Sequence, residues 1–363
     1  MMFCALSKAK GMIIKMKPLN IGIIGCGKIT QVRHIPEYLD NPQSIIRGYY
    51  DRNTVRAEEM AKRHGGTAYH SYEELLEDQE IDAVSVCVSN HMHAEITIAA
   101  LKAGKHVLCE KPMATTIEEC EAMVKAAEAS GKKLLIGHNQ RLAIGHQKAK
   151  ELVESGLIGE VITFKTTFGH GGPETWSIEP GKNTWFFDKK VAVMGAMADL
   201  GVHKTDLIQF LIGQKIVETT AKLATLDKKD AEGNLIGVDD NAICIYRMES
   251  GIIGTMHASW TYYGPEDNST VLYGTKGIMR IYEDPWYTIK VALDNGEKIS
   301  YEIDSIQTNE NQTKSGVIDL FIESIMENKE THLSGKEALS AMRAVFASIE
   351  SSDSGKTISI NQD

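Results

Sequence analysis

The sequence predicts an α/β domain with a parallel, Rossmann-type sheet, followed by an α+β domain with a mostly antiparallel open sheet. Three observations lead there. An apolar run, Leu19-Asn20-Ile21-Gly22-Ile23-Ile24, closes in the glycine turn Gly25-Cys26-Gly27; a strand and helix rhythm then continues to about Asn139; beyond Arg141 it gives way to long strand-like segments joined by tight turns. With 363 residues the chain suits two domains, and 42% hydrophobic with 24% charged residues describes an ordinary folded protein with a substantial core. The expected division is an N-terminal extension over 1–17, a dinucleotide-binding domain over 18–140 and an α+β domain over 141–363.

Apolar strands are predicted to end at Gly25, Asp51, Val88, Lys111 and Asn139. Between them, Asn53 to His64, His91 to Ala103 and Thr115 to Ala129 carry helical spacing, as at Ile117, Cys120, Val124 and Ala127. Such alternation makes a parallel sheet with crossover helices, which binds ligands at the carboxyl ends of its strands. After Arg141 come a helix over roughly Gly145 to Ser155, a strand from Val161 to His170, a Gly- and Pro-bearing loop, and a helix holding Asp199 and His203. Further strand segments cover Glu218 to Leu226, Asn241 to Met248, Ile252 to Trp260, Thr270 to Tyr282, Thr288 to Leu293 and Ile299 to Ile303. Ser250-Gly251, Thr275-Lys276-Gly277 and Asp294-Asn295-Gly296 supply turns. Two helices close the chain, Gly316 to Asn328 and Lys336 to Ser351, the first with apolar spacing at Val317, Leu320, Phe321 and Ile325.

A formal charge of −10 argues against a general polyanion binder, so nucleic acid is not an expected partner. Six cysteines without a CxxC pair, several inside apolar runs, fit a reducing cytoplasm. Met1 to Lys17 breaks its apolar pieces with Lys8, Lys10 and Lys15 and lacks the long core of a secretory signal or membrane span. It reads as a loose extension, with Met12 or Met16 as an alternative start, and no membrane association is expected.

The candidate chemistry sits at strand ends. Gly25 and Gly27, with Lys28 and Ile29 after them, form a turn whose bare backbone suits a pyrophosphate at a helix N-terminus; Thr30 stands at the third glycine position. Asp51 is placed to accept hydrogen bonds from an adenosine ribose, which favours NAD; the plainer reading is that it only caps the helix starting near Asn53. Arg52 beside it can stack on adenine or pair with a 2′-phosphate, so NADP stays open. Ser89, Asn90, Lys111 and Asn139 fall at the same sheet edge, and His93 is a structural or cofactor-adjacent contact.

Lys111 can offer positive charge to a developing alkoxide, with Glu110 as the partner fixing it and Pro112 as a rigid exit. His203, four residues after Asp199, can exchange a proton near neutral pH. The plainer readings are a surface lysine and a core histidine held by Asp199 or by backbone. Asp206 extends that stripe, but without a fourth ligand or a dense His/Cys cluster no metal is expected. Trp176 and Trp185 offer faces for a pyranose or cyclitol, or plug a core under the loop. Asn139 and Arg141 can bind hydroxyls or cofactor, and Arg141 can equally form an interdomain ion pair.

From near Leu19 to near Ile360 the chain resembles the glucose-fructose oxidoreductase, inositol dehydrogenase and MocA (Gfo/Idh/MocA) family. The resemblance is carried by Gly25 and Gly27, Asp51, Asn90-His91-Met92-His93, Glu110-Lys111-Pro112, Asn139-Gln140-Arg141, and Asp199 with His203. It implies an N-terminal Rossmann domain, a C-terminal sheet used for dimer or tetramer assembly, and NAD(P)-dependent hydride exchange on a sugar or cyclitol. Lys111, Asp199 and His203 match its catalytic trio. Glu110 and Asn139 are expected beside the cofactor, and Arg141 and Trp185 beside the substrate. Two departures stand out: Val88-Ser89 replaces a common Thr-Pro, and Val193-Met194-Gly195 replaces a commonly glycine-rich run.

The sequence supports three competing functions. The leading one is oxidation or reduction of a secondary alcohol on a sugar, sugar derivative or inositol. The second is net glycoside cleavage through transient oxidation by tightly held NAD. The third is a dinucleotide-responsive regulator without catalysis, since a fold can keep its pocket without its chemistry.

Overall fold

The computed structural model describes residues 17–306 and 314–362; the expected extension, Lys17 apart, lies outside them. The first sheet comprises β1 (Leu19–Ile24), β2 (Ser44–Tyr50), β3 (Thr67–Ala68), β4 (Ala83–Val86), β5 (His106–Cys109) and β6 (Leu134–Ile136). All pair parallel in the order β3-β2-β1-β4-β5-β6, the doubly wound arrangement in which the order reverses beside β1. Its crossovers carry α1 (Ile35–Asp40), α2 (Thr54–His64), α3 (Tyr72–Glu77), α4 (His93–Lys102) and α5 (Ile117–Ser130). Local chemistry sets these boundaries. Thr116 and Glu119 form a reciprocal capping box at the start of α5, and Gly131 ends it in the left-handed region.

The second sheet is entered through α6 (Ile144–Glu154), β7 (Val161–Gly169), the short α7 (Lys189–Ala192) and α8 (Val202–Ile212). Then come β8 (Ile216–Ala224), β9 (Asn241–Met248), β10 (Ile253–Ser259), β11 (Thr270–Gly274), β12 (Gly277–Ile281), β13 (Ile289–Leu293) and β14 (Lys298–Tyr301). The chain ends with α9 (Val317–Met326), α10 (Gly335–Ser354) and β15 (Ile358–Ser359). The nine strands run in the order β14-β13-β12-β11-β7-β10-β9-β8-β15, antiparallel throughout except for the β7–β10 pair. The predicted Thr270 to Tyr282 segment is a hairpin, because Thr275-Lys276 turns the chain back.

Alternation decides which face of this sheet is core. On β9, Ala242, Cys244, Tyr246 and Met248 are buried while Ile243 and Ile245 remain half exposed. Helices α8 and α10 cover the buried face. Helix α9 goes elsewhere: Val317, Ile318, Phe321 and Ile322 share a core with Ile21, Ile23 and Tyr49 of the first sheet and Tyr38 of α1. Each such apolar side chain taken from water contributes roughly 1.5–3 kcal/mol, which ties the C-terminal segment to both sheets.

Candidate active site

The carboxyl ends of the first sheet's strands open into a cleft of about 1130 Å³ whose opposite wall comes from the second sheet and its connecting loop. Gly25 and Gly27 line it with Lys28 and Ile29. Gly25 has φ +94°, and a Cβ there would sit 2.4 Å from the Cys87 carbonyl oxygen, so only glycine fits against β4. A Cβ on Gly27 would meet nothing within 4 Å, leaving bare backbone toward the cleft. Thr30, at the third glycine position, closes the turn by donating its hydroxyl to the Gly25 carbonyl at 2.6 Å.

Asp51 lines the cleft with Arg52. Asp51 Oδ1 accepts from the Asn53 N–H at 2.8 Å, just before α2, and its Oδ2 from the Cys26 N–H at 2.7 Å in the glycine turn. Arg56, which the sequence did not single out, lies 3.4 Å from Asp51 and donates to Glu179 of the opposite loop at 3.0 Å.

Ser89, Asn90 and Asn139 also line the cleft. The Asn90 amide donates to the Ala192 carbonyl of α7 at 2.9 Å. His93 does not reach it: the ring lies between the carbonyl oxygens of Pro112, 2.7 Å from Nδ1, and Val88, 3.1 Å from Nε2. It is a structural contact beneath the strand ends.

Lys111 comes from the exit of β5 and meets the segment before α8. Its Nζ donates to Asp199 Oδ1 and to the Asp199 carbonyl, both at 2.9 Å. Asp199 Oδ2 accepts from Trp260 Nε1 at 3.0 Å, so both carboxylate oxygens are fixed. Burial opposes the Asp199 charge, but the Lys111 ammonium, then His170 and the hydrogen bonds from Lys111 and Trp260, hold its pKa below the ordinary carboxylate value. His203 lines the same cleft. Burial, then the charges of Lys111, His138, Arg33 and Lys204, push its pKa well below 6.5.

Asp199 and His203 do not share a regular α-helical face as the spacing suggested. Met197–Gly201 is a turn of π-helix and the α-helix begins at Val202; such wide turns recur at functional sites. Asp239 fastens the start of this turn, accepting from Gly195 N–H at 2.8 Å and Met197 N–H at 2.7 Å. A Cβ on Gly195 would come within 1.8 Å of the Asp239 carbonyl oxygen, which accounts for the glycine.

Two expected partnerships are redrawn. Glu110 lines the cleft but does not hold the Lys111 ammonium: its Oε1 lies 2.9 Å from His34 Nε2 and 4.0 Å from Arg33. Burial works against the Glu110 charge, and the bond and charge of His34, with Arg33 and Lys111, outweigh it, holding its pKa at about 2. Arg141, expected beside substrate or in an ion pair, forms the ion pair. Its guanidinium donates to both oxygens of Asp206, at 2.7 and 2.6 Å, and to the His332 carbonyl at 2.7 Å, behind the cleft wall. Asp206 is thereby engaged, and among the described residues no group of three His, Cys, Asp or Glu side chains could hold a metal.

Trp176 and Trp185 both line the cleft, with Trp185 stacked on Phe186 at 3.9 Å. Trp260, Arg56 and His34 were missed because their contacts bridge remote segments with no local signature. His170 was legible only as part of a loop. It accepts from Gly172 N–H at Nδ1, so Nε2 carries its proton toward Asp199, 3.9 Å away.

Comparison with known proteins bears on the family and the fold. The profile of an oxidoreductase family with an NAD-binding Rossmann fold (GFO_IDH_MocA) matches residues 19–138, and that of the GFO/IDH/MocA C-terminal domain matches 146–280. The chain belongs to the Gfo/Idh/MocA oxidoreductase family. It is 31% identical over 275 residues to the dTDP-3,4-didehydro-2,6-dideoxy-alpha-D-glucose 3-reductase of Saccharopolyspora spinosa, covering 75% of this chain and 76% of that one. Against the myo-inositol 2-dehydrogenase of Thermotoga maritima it is 26% identical, covering 95% and 99%. A levoglucosan dehydrogenase solved with NADH superposes with a TM-score of 0.84 at 24% identity, covering 96% of this chain and all of that one, and shares the fold.

Proposed function

We propose that this Gfo/Idh/MocA oxidoreductase exchanges hydride between NAD and a secondary alcohol of a sugar, sugar derivative or inositol. Residues 18–140 hold the cofactor, and 141–363 supply most of the substrate wall. The carrying observation is the junction of Lys111 from one sheet with Asp199 from the other at 2.9 Å, in the cleft that also contains His203 and the glycine turn. The cleft fits a dinucleotide, with Gly25, Gly27, Lys28 and Ile29 at the pyrophosphate end, Asp51 and Arg52 at the ribose, and Ser89, Asn90, Glu110, Lys111 and Asn139 toward the nicotinamide. The uncovered backbone at Gly27 and the fixed Asp51 carboxylate support that assignment. When bound, the nicotinamide supplies the hydride acceptor or donor.

The chain's own groups handle the proton and the charge. An ammonium has three N–H donors; Asp199 takes two from Lys111, leaving one for the substrate oxygen. Opposite unit charges about 4 Å apart attract by ~4 kcal/mol at an effective dielectric near 20, so a placed lysine favours alkoxide character. His203, neutral because its pKa lies well below 6.5, accepts the hydroxyl proton. Trp185 offers a ring face to the substrate, and His170 offers its Nε2–H.

Purified protein with NAD and a panel of sugars, glycosides and inositols tests this. NADH should form with at least one member. Lys111→Ala and His203→Ala should each lower kcat by ~100- to 10,000-fold with NAD binding retained by calorimetry. No turnover across the panel, or variants as active as the parent, would remove the assignment. Turnover without added NAD and without net NADH would move it to transient oxidation.

We further infer a homo-oligomer, a dimer or tetramer, assembled through the uncovered face of the second sheet. Ile243, Ile245 and Ile253 are each about half exposed there on paired strands β9 and β10. No described helix is long and apolar enough to cross a membrane. The buried free thiols Cys26, Cys87, Cys109, Cys120 and Cys244 support placing the protein in a reducing cytoplasm.

A further inference from the structure

Behind His203, on the side away from the cleft, several buried polar atoms stand without partners. His203 Nδ1 is buried and makes no hydrogen bond, which leaves Nε2 for the substrate. Next to it is His138, only 2% exposed, with neither ring nitrogen partnered. The two imidazoles meet edge to face, centroids 6.4 Å apart and planes at 86°. Beyond them, His138 Nδ1 lies 3.8 Å from Asp206 Oδ2. A buried N–H without a partner costs about 1–3 kcal/mol, and such atoms in native proteins are ordinarily satisfied by ordered water. A phenylalanine would pack edge-on against His203 equally well without that cost. Three idle nitrogens in sequence, ending at a carboxylate, instead describe a path along which a proton can move.

We propose that His138 is the second station of a proton relay, receiving from His203 Nδ1 the equivalent of the proton that His203 takes from the substrate hydroxyl and holding it beside Asp206 until product leaves. The proposal rests on the reading of His203 as the base. The substrate O–H bond breaks as an N–H bond forms at His203 Nε2. The Nδ1–H bond of His203 breaks and an N–H bond forms on His138, directly or through one water that gives one proton and accepts another. His203 ends neutral in its other tautomer, and His138 ends as imidazolium. The same path reverses once product has left, delivering the proton to solvent through Nε2.

The surrounding charges set the direction. Besides burial, His203 faces Lys111, Arg33, Lys204 and His138, all of which oppose an imidazolium. His138 is buried as well, but Asp206 and Glu110 favour its charged form against Arg141 and Lys111. Both rings lie below the ordinary histidine value, His203 farther below. His138 acts through His203 and does not itself touch substrate.

The first test needs no substrate. NMR of NAD-loaded protein carrying nitrogen-labelled histidine, assigned with His138→Phe and His203→Phe, should show His138 taking up a proton on acidification while His203 stays neutral. His203 protonating first would overturn the relay. The second uses whichever panel member is turned over. His138→Phe and His138→Gln should each lower kcat about tenfold or more with KM nearly unchanged, and the dependence of single-turnover rate on deuterium fraction should be curved in the parent and linear in His138→Phe. A fully active glutamine variant, which can still hydrogen-bond to His203 without carrying charge, or a linear or absent isotope response in the parent, contradicts it. A panel with no turnover counts against the dehydrogenase reading, and the NMR order still decides the relay.

Discussion

Asp199 gathers contacts from three remote stretches: the Lys111 ammonium, the Trp260 indole and, at 3.9 Å, the His170 ring. Removing the indole N–H with Trp260→Phe frees Asp199 Oδ2 while preserving most of the packing. A lost hydrogen bond to a buried charged group costs about 1.5–3 kcal/mol, so urea unfolding should show a destabilisation of that order, and kcat should fall as Asp199 loses its fixed position. His203, with His138 behind it, sets the pH profile, since both rings must be neutral and both lie below the ordinary histidine value. Its neutral form accepts the proton, and its pKa lies well below 6.5, so kcat for alcohol oxidation should stay level through neutrality and fall only on the acid side of 6.5. An acid limb centred at or above that value, in a kcat profile, would contradict the assignment. Lys111, Asp199 and His203 were legible because their types and strand-end or helical placement imply chemistry. Trp260, 61 residues from its acceptor, and His34, 76 from Glu110, carry no such mark. Glu110 was misassigned as the partner of Lys111, since adjacency along an extended chain points neighbouring side chains apart.

At the scale of elements, long periodic segments were readable and short or irregular ones were not. The limits of β9 were placed residue for residue, whereas β3 and β15, two residues each, are too short for any period to register. The π turn before α8 was read as α-helix, since one widened turn barely alters apolar spacing. Its approach holds a strained residue: Val193 has φ +67°, a conformation that costs a β-branched side chain about 1–3 kcal/mol. Relief of that strain exceeds the extra backbone entropy of glycine, so Val193→Gly should raise stability by roughly 1 kcal/mol in urea unfolding. A destabilised variant would mean that the valine side chain contributes more through packing than the strain removes.

At the scale of the whole molecule, the parallel sheet with a following antiparallel one was legible from the change in rhythm at Arg141. The return of α9 to the first sheet was not, because an amphipathic helix records that it packs but not on what. The uncovered face of the second sheet should be occupied in solution. Light scattering should give a dimer or tetramer, and Ile243→Lys with Ile245→Lys should lower the mass toward the monomer. A parent protein that is monomeric at micromolar concentration would remove that inference. The account as a whole turns on two sheets delivering Lys111 and His203 to one reacting carbon, and a crystal structure with NAD and a turned-over polyol tests it most directly. The expected density places one carbinol oxygen within hydrogen-bonding distance of both Lys111 Nζ and His203 Nε2, its carbon facing the nicotinamide ring. A polyol bound elsewhere, or a nicotinamide directed away from these two side chains, would contradict it.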